Sequence, residues 1–143
     1  MMGVLLDLNI PLDLFLSRQP WLAEGTAIWE ANHQGEIVAH LASFSVSTLF
    51  YIMRKQRGLE LARQAVEDCL NSLTIIPVSL STLRLAANMP GSDFEDNLQI
   101  ASAVEAGLDA IVTRDPRGFA GSPVPVHSPA EFLTRLSKAD DAR

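Results

Sequence analysis

The chain has 143 residues, 48% of them hydrophobic and 20% charged, with eight Gly and eight Pro. This composition excludes collagen-like, low-complexity and disordered chains, and the length suits one domain with its own core. Seventeen acidic residues against eleven basic give a net charge of −6, the wrong sign for gripping phosphates unless the acids gather around cations.

Residues 3–8, Gly-Val-Leu-Leu-Asp-Leu, read as a short buried strand ending at an acid. Asn9 and Pro11 then open a helix, Asn as the cap and Pro early in the first turn, running over 11–17. A second helix is predicted over 21–32, with Gly35 beyond its end. Residues 37–41 form the next strand and 43–56 a helix closing at Gly58. Residues 59–73 carry the clearest amphipathic pattern, Ala62, Ala65, Val66, Cys69 and Leu73 recurring at spacings of three and four. Further strands are expected at 73–78, 110–113 and 124–126, and helices at 81–88, at 93–106 and from Pro129. A frayed tail is expected over 138–143.

Strands that are apolar on both faces and alternate with helices indicate an α/β fold, three layers deep, with a central, mostly parallel sheet of four to five strands. Residues 1–137 are expected to form one domain. Cys69 stands alone, so no internal disulfide forms. The first residues carry no basic segment leading into a long apolar run, and no stretch reaches the roughly 18 apolar residues of a membrane span. A cytoplasmic protein is expected.

The acids carry the chemistry. In an open parallel sheet ligands bind beyond the carboxyl ends of the strands, where strand order reverses. Asp7 ends the first strand, Asp115 lies two residues past Thr113, and Asp93, Glu95 and Asp96 open a helix feeding that later strand. If those two strands are neighbours, several carboxylates meet, and their mutual repulsion calls for a divalent cation. All-oxygen ligation favours Mg²⁺ or Mn²⁺; His33, His40 and His127 lie in unrelated contexts.

Each acid also has a plainer role open to it. Asp7 and Asp115 suit turns, and Asp93 suits a helix cap. Ser92-Asp93-Phe94-Glu95 has the form of a capping box that would occupy Glu95, and Asp13 reads as a solvated first-turn residue. Arg54, Lys55 and Arg57 complement the end of their helix, whereas Arg114 and Arg117, flanking Asp115, are candidates for binding substrate phosphates. Leu14, Phe15, Trp21 and the 59–73 helix read mainly as core, with a partner groove as the other reading.

Three segments resemble the PIN-domain nucleases, in particular the VapC-like toxins of bacterial toxin–antitoxin pairs. They are Val4-Leu5-Leu6-Asp7-Leu8-Asn9-Ile10-Pro11-Leu12-Asp13, Asp93-Phe94-Glu95-Asp96-Asn97-Leu98-Gln99-Ile100-Ala101-Ser102-Ala103, and Ile111-Val112-Thr113-Arg114-Asp115-Pro116-Arg117-Gly118-Phe119. The resemblance implies a metal-dependent endoribonuclease with an RNA substrate, a cognate antitoxin and a homodimeric state. By the same resemblance Asp7, Asp96 and Asp115 would be catalytic and would hold one or two Mg²⁺ or Mn²⁺ ions, with Asp93 a fourth ligand. Asn9, Thr48 and Thr113 would orient a carboxylate or a water. Water activated at the cation would attack phosphorus in line. The family usually carries Glu where this chain has Thr48, a hydroxyl that supplies no charge, and a catalytically weak binding module is the alternative. A phosphotransfer fold also sets acids at strand ends, but Asp7-Leu8-Asn9 lacks the second acid of an Asp-x-Asp strand.

Overall fold

The computed structural model describes residues 1–142. In chain order the elements are β1 (Met2–Leu6), α1 (Asn9–Phe15), α2 (Leu22–His33), β2 (Ile37–Ala42), α3 (Ser43–Arg57) and α4 (Leu59–Ser72). There follow β3 (Thr74–Ile76), α5 (Leu80–Ala87), α6 (Phe94–Glu105), β4 (Ala110–Val112), a 3-10 turn (Pro116–Phe119), β5 (Val126–His127) and α7 (Pro129–Asp141).

All four strand pairings are parallel, in the order β3-β2-β1-β4-β5. The chain lays strands outward from β1 on one side, then returns to place β4 on the other. Strand order therefore reverses between β1 and β4, the neighbours the carboxylate argument requires. Their register pairs Leu5 with Ile111 and Leu6 with Val112, so Asp7 and Thr113 leave the sheet side by side.

Period-two alternation divides the core. Val4 and Leu6, with Ala110 and Val112 opposite, face a cluster that includes Ile10, Leu12, Ile28, Leu49, Met53 and Phe132. Leu5 and Ile111 face the other way, onto Ile100, Ala103, Phe119 and Val124. The sheet thus carries α1–α4 and α7 on one face and α5–α6 on the other. The amphipathic reading of α4 holds, with Ala62, Ala65 and Cys69 buried. Gly58, at φ 91°, makes the break between α3 and α4 in a conformation other residues rarely adopt.

Local readings shift in several places. β1 stops at Leu6, leaving Asp7 and Leu8 in the turn, and Asn9 is the first helical residue rather than a cap; the cap position is Leu8, without a side-chain bond. Pro11 still falls where a helix needs no N–H partner. β3 is shorter than 73–78 because only Thr74–Ile76 finds β2 as a partner. β5 starts at Val126, since Ser122 bonds both the N–H and the carbonyl of Val124 and holds that residue outside the ladder. The tail expected to fray is helical through Asp141, continuing a helix that Ser128 caps and Phe132 anchors; Arg143 lies outside the described residues. No helix among the described residues is long and apolar enough to cross a membrane.

Candidate active site

A cleft of about 310 Å³ opens at the carboxyl ends of β1 and β4. Asp7, Asn9, Thr48, Asp93, Glu95, Asp96 and Asp115 line it, together with Phe44, Ser45, Gln99 and Phe119. Four elements deliver these side chains: the β1–α1 turn, the start of α3, the start of α6, and the segment after β4.

Asp7 is the most firmly held. Its N–H donates to the Val112 carbonyl at 2.9 Å, and its Oδ2 accepts from Thr113 Oγ1 at 2.7 Å. The same Oγ1 accepts the Asp115 N–H at 3.1 Å, so one buried hydroxyl ties two of the acids together. Burial pushes the Asp7 carboxyl above its ordinary range, against the Thr113 hydrogen bond and the Arg114 charge, which act the other way.

Asp93 caps α6, its Oδ1 accepting the Asp96 N–H at 3.1 Å. The cap therefore falls one residue later than the expected capping box and is Asp93 alone, and Glu95 lines the cleft instead of closing the cap. Asp96 meets the other acids here. Its carboxyl is pushed up to about 6, first by burial and then by the charges of Asp93, Asp7, Asp115 and Glu95. The start of α6 partly offsets this crowding, since acids near a helix N-terminus are stabilised.

Asp115 behaves differently. Its side chain is largely exposed and pairs with Arg117 at 3.5 Å. Accordingly, among the described residues no three acidic, imidazole or thiol side chains are gathered closely enough to hold an ion as they stand. Uncompensated carboxylates repel, and the exposed one turns to the nearest cation. The donor chemistry nevertheless fits a hard cation. Every polar side chain on the wall is an oxygen donor, and Gln99 Oε1 is buried there without a partner.

Two sequence readings are corrected on the far side of the segment after β4. Asp13 is not a solvated dipole partner: it is fully buried, with Arg114 Nε 2.8 Å from Oδ2 and Arg18 3.6 Å from Oδ1. Arg114 is thereby turned away from the cleft, its guanidinium 3.9 Å over the Trp21 ring. It reaches Asp7 only through its charge. Arg117 is the exposed base beside the site, while Arg57 donates to the Leu16 carbonyl at 2.9 Å. Phe15 stacks edge-on against Trp29, and with Leu14 it lines a separate cleft between α1, α2 and α4.

Sequence reasoning missed Phe44, Ser45 and Gln99. Gln99 lies one turn below Asp96 on α6 and donates to Ser45 Oγ at 3.4 Å. The three-residue offset from Asp96 was the available signal, since it sets both side chains on one helix face.

The family model of the PIN domain matches residues 3–117. The chain belongs to the PIN domain family. No curated protein sequence matches it. Among solved structures it is similar to a chain of a toxin–antitoxin complex from Klebsiella pneumoniae, with TM-score 0.67 and 22% identity over 88% of this chain and 97% of that one. It is also similar to a chain of VapBC2 from Rickettsia felis, solved with a DNA fragment from the promoter, with TM-score 0.66 and 17% identity over 89% and 98%. VapC20 of Mycobacterium tuberculosis, a sarcin–ricin loop cleaving toxin, aligns with TM-score 0.62 and 11% identity over 76% and 86%. At these identities the likeness is one of fold.

Two outcomes follow for stability. Asp13→Asn strips Arg114 and Arg18 of their counter-charge but also relieves the burial that holds the Asp13 carboxyl above its ordinary range; with the two effects opposed, a change of less than about 1 kcal/mol at neutral pH is expected in urea denaturation. For Asp96 the folded-state value lies above the ordinary 3.8, so its contribution to stability is full below that value and is lost as pH rises through about 6. In metal-free buffer Asp96→Asn should match the parent below about pH 4 and be the more stable chain above about pH 6. Parallel stability profiles for the two chains would contradict the crowding described.

Proposed function

We propose that the chain is a Mg²⁺- or Mn²⁺-dependent endoribonuclease, the toxin of a toxin–antitoxin pair. The observation that carries this reading is the approach of Asp7, Asp93, Asp96 and Asp115 to one cleft, where burial, and after it the charges of the neighbouring acids, raise the Asp96 carboxyl to about 6. The neighbouring structures support it in kind: one is described as a sarcin–ricin loop cleaving toxin and another as a toxin–antitoxin complex. The proposal carries with it an antitoxin partner, a homodimer, a cytoplasmic setting and a single nuclease domain.

In this reading Asp7, Asp96 and Asp115 are the catalytic carboxylates that hold the cation, with Asp93 contributing from the α6 cap. A divalent cation, when bound, neutralises these acids and polarises a phosphodiester and the attacking water. The chain's own groups do the positioning. Thr113 fixes the Asp7 carboxylate by its hydrogen bond and, through the Asp115 N–H, sets where the third acid leaves the backbone. Asn9 and Thr48 present neutral oxygens on the cleft wall, able to orient water without adding charge. Arg117, nearly fully exposed, is released from Asp115 as that acid turns inward and is then free to meet an RNA phosphate.

A second reading, a PIN-like module that binds RNA or protein with weak catalysis, is favoured by Thr48 in place of an acid and by the ungathered carboxylates. Two measurements separate the readings. Asp7→Asn or Asp96→Asn should lower metal-dependent RNA cleavage by at least about a hundredfold with the circular dichroism unchanged. Undiminished cleavage in either variant would count decisively against the nuclease. Calorimetric titration of the full chain with Mn²⁺ should show binding that strengthens as pH rises through about 6, because the Asp96 proton must leave first. No heat at millimolar Mn²⁺ favours the module.

A further inference from the structure

Gly118 lies in the 3-10 turn Pro116–Phe119, with nothing in its own backbone that demands glycine. What stands against it is the Asp96 carboxylate. A Cβ added at Gly118 would sit 2.6 Å from Asp96 Oδ2 and 3.4 Å from Cγ, the first far inside the distance at which carbon and oxygen make favourable contact. We propose that Gly118 is a positioning residue of the cleft: its bare Cα keeps open the seat of the Asp96 carboxylate, so the turn after β4, as well as α6, sets where that carboxylate points.

The surroundings decide which side yields when the seat is filled. The turn is anchored, since Phe119 is buried against Leu5, Ile100, Ala103 and Ile111, and the Gly118 N–H donates to the Asp115 carbonyl at 3.2 Å. Pro116 stiffens its start. Asp96, by contrast, is a partly exposed side chain in the first turn of α6, and the only hydrogen bond described there belongs to its backbone N–H. The carboxylate therefore gives way and the fold does not. Gly118 also joins two of the acids mechanically, because the residue that abuts Asp96 is hydrogen-bonded to Asp115.

The consequence for metal binding rests on the nuclease reading; the steric role of Gly118 does not. The test is Gly118→Ala in the full chain, with Ala120→Gly as a control for altered flexibility in the same loop. Three-bond couplings at Asp96 in the metal-free protein should report a new χ1, while the melting temperature stays within about 2 °C. Mn²⁺ affinity measured by calorimetry should fall about 10–100-fold, the range for losing the support of a ligand, and Ala120→Gly should leave it unchanged. Unchanged Asp96 couplings overturn the assignment, as does unaltered Mn²⁺ affinity in a chain whose parent binds the ion. If Gly118→Ala does lower the melting temperature, truncation in the double variant Asp96→Ala/Gly118→Ala must restore it; failure to do so places the clash elsewhere and also overturns the assignment. A parent chain that takes up no Mn²⁺ sinks the nuclease reading alone, and the couplings still decide the role of Gly118.

Discussion

Repulsion between carboxylates is the constraint on which this molecule is organised. A parallel sheet that reverses strand order between β1 and β4 must bring the residues after Leu6 and Val112 together, and the N-terminus of α6 returns to the same edge. With acids at those three places, topology alone creates a charge conflict that folding has to tolerate. It is contained by small means. Thr113 donates to Asp7, the α6 terminus faces Asp93 and Asp96, and Asp115 stays in water beside Arg117. None of these removes the conflict: the charges of Asp93, Asp7, Asp115 and Glu95 still add to the burial that raises the Asp96 carboxyl.

The segment from Thr113 to Asp115, bent at Arg114, serves two environments. Thr113 turns to Asp7, Arg114 turns to the opposite side and meets the buried Asp13, and Asp115 returns to the cleft wall. Burying Asp13 unpaired would be expensive, and two Arg side chains with the Trp21 ring offset that cost. The same ion pair fastens this stretch to α1, the helix that begins two residues after Asp7. Charge on the hidden face thus steadies charge on the exposed one.

Much of this was legible in the sequence because it depends on local pattern. Short apolar runs located β1 and β4, the spacing of three and four located α4, and the three acidic segments located the cleft. What escaped depends on partners that a sequence does not display. Asp13 reads as a surface acid until Arg114, about a hundred residues away, is placed beside it. Arg114 reads as a phosphate ligand for the same reason. The α6 start offered two caps one residue apart, Ser92 and Asp93, and Asp93 took the role, releasing Glu95 to the cleft. The turn at Pro116–Phe119 has too few residues for any periodicity, and its importance lies in what Gly118 lacks.

The acids differ in freedom as well as in position, and that gradation bears on how such a cleft can work. Asp7 is fixed by two hydrogen bonds, Asp96 is confined between its own helix and Gly118, and Asp115 is exposed beside Arg117. A site with all its acids locked together would carry the whole repulsion in the empty state and lose stability for it; one with all of them loose would have to order every ligand on binding. Fixing one, confining a second and leaving the third in solvent divides the burden. Under the proposed metal binding, the repulsion would stay moderate in the empty cleft and only Asp115 would have to turn inward. With Thr48 where an acid would add a further charge, the chain sits toward the low-repulsion end of this balance, and under the proposed metal binding it would trade attraction for the cation against the stability of the empty fold.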